Sequence, residues 1–381
     1  MESWQEVAAA IGPLDAEAMQ AARGHQARLT KPAGSLGRLE DLAVQVAGVQ
    51  GRAVPHLADR AIVVMAADHG VASEGVSAYP QAVTAQMVAN FLAGGAAINV
   101  LARQSGARLV VVDVGVAGDL SGDRGSDERL SPSSAQPAVR DSAGVAGAGR
   151  GTTFRRARIA SGTANLARGP AMPRAQAEMA IAVGLEVIAD EAARGLDAVV
   201  LGDMGIGNTT AGAALVAALT AQPPAAVVGR GTGVDDATWR HKVSVVERGL
   251  AANAPSPADP VGVLAAVGGL EHAGLVGLVL GAAARRVVVV LDGLAAAAAA
   301  LVAARVCPAA RAYLVAGHAS AEPGQRAALA ALDLWPLLDL DLRLGEGTGG
   351  ALALHLLDAA ARLHAEMATF DAAGVSGREP P

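Results

Sequence analysis

Short runs that are apolar at nearly every position recur along the chain, and each closes on Gly or Asp. They are RAIVVMAADHG (60–70), RLVVVDVGV (108–116), LDAVVLGDMG (196–205), RRVVVVLDGL (285–294) and RAYLVAGH (311–318). Unbroken apolarity over strand length indicates strands covered on both faces, as in a parallel sheet buried between helices. Helix-like stretches alternate with them, among them AQAEMAIAVGLEVIADEAARG (175–195) and TTAGAALVAALTA (209–221). This alternation predicts an α/β fold with a doubly wound parallel sheet over 61–344. Segments 1–60 and 345–375 read as helices and are expected to pack together as a smaller helical domain. The polar segment at 117–138 reads as a surface excursion without chemistry, 252–262 as a linker and 374–381 as a frayed end.

Composition narrows the class. Of 381 residues, 52% are hydrophobic and 17% charged, but much of the apolar content is small Ala and Val. The nearest approach to a membrane span, 273–304, is interrupted by Arg285, Arg286 and Asp292, so no span is expected. The two arginines read as surface or ion-paired. The N-terminus lacks the basic and apolar regions of a secretory signal, and the single cysteine, Cys307, gives no disulfide framework. A cytoplasmic protein is expected. With a net charge of −6 and eight aromatic residues, the chain has neither a basic footprint nor stacking platforms for nucleic acid.

In an open parallel sheet the ligand sits beyond the carboxyl ends of the strands, so the loops closing these runs are the place for chemistry. LGDMGIGNTTAGAAL (201–215) follows a strand and opens a helix. Gly205 and Gly207 would let backbone amides approach an anion, and Asn208 or Thr209 could cap the helix. Phosphate binding and a plain βα turn are both open readings, and the loop is neither a Walker A loop nor a dinucleotide fingerprint. VGRGTGVDDATWRHKV (228–243) offers a second glycine turn with Gly231, Thr232 and Gly233, followed by Asp235, Asp236 and Lys242. GHASAEPGQRAAL (317–329) supplies His318 and Ser320. Each admits a phosphate or simple capping.

Asp68 and His69 invite a metal reading, but no further His or acid lies at ligand spacing nearby, and a hydrogen-bonded loop histidine is the better account. No metal or cofactor is expected. Tyr79, Gln86 and Met87 could line a pocket for a flat ring. Small residues three or four apart in GLVGLVLGAA (274–283) suggest close helix packing. VVVVLDGL resembles the start of a diphosphate-sugar loop but lacks its second acid and Thr-Gly-Gly-Thr. Last, DLRLGEGTGGALAL (341–354) leaves Glu346 standing alone in a glycine run. There it reads either as a general base whose pKa burial would raise, or as an anion favoured at a helix N-terminus.

Together, KPAGSLGRLEDLA (31–43), ADHGV (67–71) with EGVSAYPQAVTAQM (74–87), GTANLARGPAM (162–172), LGDMGIGNTTAGAAL, VGGLEHAGLVG (267–277), LDG, HASAEPG and LRLGEGTGGALAL resemble the nicotinate-nucleotide–dimethylbenzimidazole phosphoribosyltransferase family. The resemblance runs over roughly 27–370, interrupted at 117–138. It implies a Rossmann-like domain with a small helical domain, in a homodimer. It also implies transfer of the phosphoribosyl group of nicotinate mononucleotide to 5,6-dimethylbenzimidazole or a related base, for the lower ligand of cobalamin.

The same resemblance makes Glu346 the general base. It places the sugar phosphate against Asp203, Gly205, Gly207, Asn208, Thr209, Gly231, Gly233, Lys242 and Ser320, and the base beside Tyr79, Gln86, Met87 and Leu344. Asp203 departs from the Glu common in the family, which shortens the reach of that carboxylate. Two other readings stay open: a non-catalytic nucleotide- or base-binding protein on this fold, and a nicotinate-nucleotide hydrolase.

Overall fold

Six parallel strands form the central sheet of the computed structural model, which describes residues 3–118, 120 and 151–376. They are β1 Arg60–Ala67, β2 Arg108–Gly115, β3 Thr152–Arg156, β4 Ala198–Met204, β5 Val288–Leu291 and β6 Leu314–Ala316, in spatial order β3-β2-β1-β4-β5-β6. β1 is buried at every position after Arg60, as its unbroken apolar run requires. A two-stranded parallel pair, β7 His318–Ala319 and β8 Leu338–Asp339, lies apart from this sheet.

Three details depart from the sequence reading. β3 was not anticipated: Thr-Thr-Phe-Arg-Arg buries only Phe154, because an edge strand needs charge and exposure more than apolarity. The run 285–294 enters the sheet only at Val288, since Arg286 turns the chain with φ 58°. Arg286 donates to the Gly48 carbonyl and Arg285 to that of Gly281. The run 311–318 divides among a 3₁₀ turn, β6 and β7. The segment 121–138 and the end from 377 lie outside the described residues.

Helices cover both faces. Helix Leu270–Ala284 packs on Arg174–Ala193 along the stripe of small residues, so closely that a Cβ on Gly277 would sit 2.0 Å from the Ile181 carbonyl oxygen. Helix Arg38–Gln50 packs on Ala16–Gln26 and on Thr348–Glu366, and the last also lies against β4, β5 and helix Ala97–Ser105. One apolar cluster runs from Val7 and Leu42 through the sheet to Leu357.

Val83–Ser105, which the sequence reading passed over, is long and apolar enough to cross a membrane by length and composition, with a mean hydropathy of 1.4. Here it forms two helices, Val83–Ala93 and Ala97–Ser105, separated at Gly94, and buries Val88, Phe91 and Ile98 against the sheet side of the fold.

Candidate active site

β1 and β4 are neighbours at the middle of the sheet, with connections leaving to opposite sides, so a crevice opens at their carboxyl ends. A cavity of about 270 Å³ fills it. Its wall is built from the β4 loop (203–209), the glycine turn at 231–232, the segment after β5 (293–295), Ser320 and Glu322 after β7, Ser77 and Tyr79, and 343–345.

Much of the wall is glycine-loop backbone, with a lysine behind it and the carboxylate of Glu322 in it. Gly207, with φ 98°, is the N-cap of helix Asn208–Thr220 and supplies no side-chain cap. Asn208 therefore does not cap this helix from outside. It is the first helical residue, where its Nδ2 donates to Asp203 Oδ2 at 2.6 Å and its Oδ1 accepts from the Thr209 amide. Behind Thr209, Lys242 Nζ donates to Oγ1 at 2.8 Å. Asp235 caps the helix Asp236–Asn253 that carries Lys242, and Trp239 Nε1 docks it on the Val228 carbonyl. Burial pushes the lysine down to about 8, with Glu322 pulling the other way. Glu322 Oε1 accepts from the Gly231 amide at 2.7 Å, and Ser320 Oγ accepts from the Glu322 amide.

Acids stand at Asp203 in that same β4 loop and at Glu346, next to the wall residue Gly345. Glu346 has φ 63°, and Gly345 and Gly347 beside it have 79° and 91°. Three consecutive left-handed residues explain the glycine run, because each L-residue in that region costs about 1–2 kcal/mol and Gly does not. The turn delivers a buried carboxylate whose Oε2 has no hydrogen-bond partner. Burial raises Glu346 to about 7, Asp292 adds to this, and the Ile98 backbone amide opposes it. Asp203, on the wall itself, is raised to about 8, first by burial, then by Asp292 and Glu271. Carboxylates pushed together in low dielectric resist ionising in company.

His69 is bonded at Nε2 by a partner distant in sequence, while its buried Nδ1 has no hydrogen-bond partner among the described residues. Its Nε2 stands 2.7 Å from Glu271 Oε1, and His272 Nδ1 lies 2.7 Å from the same oxygen, with all three side chains fully buried. Burial works to raise Glu271, but the two imidazoles outweigh it and hold the carboxyl well below the usual range. Their ligand atoms lie within 4.8 Å of one another. Even so, the 2.7 Å between His69 and Glu271 is a hydrogen-bond distance. Donors around a tetrahedral ion with bonds of about 2.0–2.1 Å stand roughly 3.3 Å apart. The sequence reading found no acid near His69 because Glu271 arrives from helix Leu270–Ala284.

Residues 11–375 match the model of a family described as phosphoribosyltransferase. A nicotinate-nucleotide–dimethylbenzimidazole phosphoribosyltransferase of Chloroflexus aggregans is 52% identical over 369 residues, 97% of each chain. One of Geobacter sulfurreducens is 46% identical over 371 residues, 97% of each. The chain belongs to the nicotinate-nucleotide–dimethylbenzimidazole phosphoribosyltransferase family. A crystal structure of such an enzyme from Thermus thermophilus superposes with a TM-score of 0.83 at 46% identity, covering 96% of this chain and all of that one.

In this phosphoribosyltransferase-family chain the cavity wall gathers Asp203, Gly205, Gly207, Asn208, Thr209, Gly231, Ser320, Tyr79 and Leu344. Lys242 stands behind Thr209, and Glu346 directly follows Gly345 of the wall. Gly233 closes its turn by donating to the Arg230 carbonyl. Gln86 and Met87 are not in the wall. Helix Val83–Ala93 turns Thr84, Val88 and Phe91 inward at helical spacing, which leaves Gln86 exposed on the other side. The reading passed over Glu322, Arg343 and Asp292, although all three lie inside stretches it had singled out. Asp292 was weighed only as a charge that breaks an apolar stretch, as a fragment of a diphosphate-sugar loop and within the LDG motif.

Proposed function

We propose that the chain transfers the phosphoribosyl group of nicotinate mononucleotide to 5,6-dimethylbenzimidazole or a related base, giving α-ribazole 5′-phosphate and nicotinate. This is the nucleotide of the cobalamin lower ligand. The observation that carries the reading is one cavity lined by glycine loops, with the buried carboxylate of Glu346 directly after its wall residue Gly345 and Lys242 behind its wall residue Thr209. The glycine loops at 205–207 and 231–233, with Ser320 and with Lys242 behind Thr209, suit a phosphate. Glu346, buried and raised to about 7, suits removal of a proton near neutral pH.

In this mechanism a ring nitrogen of the base attacks the anomeric carbon from the face opposite nicotinate. The bond to the pyridinium nitrogen breaks and its electron pair neutralises that ring, so nicotinate leaves without protonation. Attack places positive charge on the incoming base. Its other ring N–H then passes a proton to Glu346, and inversion turns β into α. Glu346 also opposes the positive charge that develops on the sugar. The heterocycle sits toward Tyr79 and Leu344, exposed side chains at the cavity's rim.

We further infer a cytoplasmic homodimer, in which the terminal helices form a smaller unit beside the sheet domain; the family resemblance supports both. Incubation of the purified protein with nicotinate mononucleotide and dimethylbenzimidazole, followed by chromatography, is the test. Ribazole phosphate and nicotinate in equal amounts are expected. Nicotinate released without any benzimidazole would mean hydrolysis instead.

A further inference from the structure

The loop bearing Glu346 is held by one side chain from the sheet. Asp292 directly follows β5 and is fully buried. Its Oδ2 accepts from the Gly347 amide at 3.1 Å, and its Oδ1 from the amides of Gly349 at 2.7 Å and Gly350 at 3.1 Å. These are donors at the start of helix Thr348–Glu366, which no carbonyl of that helix can reach. His318 adds a fourth contact: Nε2 stands 3.2 Å from Asp292 Oδ1, while Nδ1 meets the Ala319 carbonyl at 3.1 Å. With acceptors at both nitrogens, the protonated ring is the better-partnered form. Burial opposes that charge, but Asp292 outweighs it and raises the histidine.

We propose that Asp292 is a positioning residue for Glu346, fixing its left-handed loop to the end of β5 so that the carboxylate is set beside the cavity. The inference rests on the reading of Glu346 as the base. Gly347, the N-cap of that helix, is also the residue next to the base, so the contact that ties down the helix start fixes the loop as well. The groups facing Glu346 are Asp203 from β4 and Asp292 from β5, with His318 behind Asp292 and Glu271 behind Asp203. Asp292 thus sets the charge around Glu346 as well as its place.

Asp292→Asn tests this. The substitution keeps the size, removes the charge and turns an NH2 group toward backbone amides. Expected is a fall in kcat of about 100-fold, the scale of a misplacement near 1 Å. KM for nicotinate mononucleotide should stay within about threefold, since the glycine loops are untouched. The acidic limb of the kcat/KM profile should move to lower pH, a change that a loss of folded protein alone would not produce. A folded variant with wild-type kcat and an unmoved limb would overturn the proposal.

His318→Gln covers the case in which Asp292→Asn does not fold. It leaves the three amides in place and removes a positive neighbour, so the limb should move to higher pH with a smaller loss in kcat. An unmoved limb and unchanged kcat there would overturn it equally. Glu346→Gln, assayed alongside, separates the two ideas. Full activity in that variant removes the base reading, whereas an inactive Glu346→Gln with a normal Asp292→Asn removes only the positioning role.

Discussion

The acids and the lysine around the cavity receive the same physical treatment and answer it in opposite ways. Burial disfavours charge on both. Among the acids it lifts Asp203 to about 8 and Glu346 to about 7, which brings carboxylates into the range where they exchange protons near neutrality. Behind the glycine loops it lowers Lys242 to about 8, where Glu322 keeps the ammonium favoured. Desolvation thus prepares the acids for proton transfer, while the glycine loops stay fit to hold an anion because their remaining donors are backbone amides that never titrate. Low dielectric serves acid–base chemistry directly but serves anion binding only where fixed dipoles replace charge.

The largest expected break in this contrast is Glu346→Gln. Ribazole phosphate formation should fall about 10³-fold, within the range for losing a general base, with KM for the nucleotide little changed. Steady-state kinetics decide it. Next comes the lysine: Lys242→Met should raise KM for nicotinate mononucleotide about 30- to 100-fold, the scale of a hydrogen bond to a charged group, and alter kcat less. A variant that lost kcat instead would show the two groups are not separate.

A third test follows the protons. Because the base must be ionised, kcat/KM should rise with pH through about 7. Asp203, raised to about 8, is still protonated while Glu346 ionises, so Asp203→Asn should leave the rise near pH 7 with less than about a tenfold loss in rate. A pH–rate series on both proteins checks it.

The fourth effect is smaller and concerns stability. The unfolded Glu346 ionises near 4.5 and the folded one near 7, so its contribution to folding declines as pH rises between those values. Glu346→Gln, lacking that penalty, should melt a few degrees above the parent at pH 8 and show no gain at pH 4. Lys242 works in reverse: its folded value of about 8 lies below the usual 10.5, so stability gains as pH rises between them. Thermal melts across pH would reveal both slopes.

The central strands were legible because a doubly covered strand must be apolar at every position, and β1, β2 and β4 are nearly so. The edge strand β3 was not, since its exposed face carries Thr and Arg as a loop would. The glycine run around Glu346 announced unusual backbone, and three consecutive positive φ values are what it encodes. Gln86 and Met87 were placed by residue type and by motif, and the helical repeat of Thr84, Val88 and Phe91 in the same stretch already pointed their segment inward elsewhere.

By itself the sequence determined the alternation of buried strands and small-residue helices, and the glycine loops at the strand ends, because these follow from periodicity and local backbone sterics. It also carried, through its ordered motifs, the family to which the chain belongs. Only the tertiary structure decided which charges meet. Asp292 on Gly347, Glu271 between His69 and His272, and Lys242 behind Thr209 join elements far apart in the chain. Such pairings depend on how the sheet brings its loops together and on the dry surroundings it creates, and neither is written in any local stretch of residues.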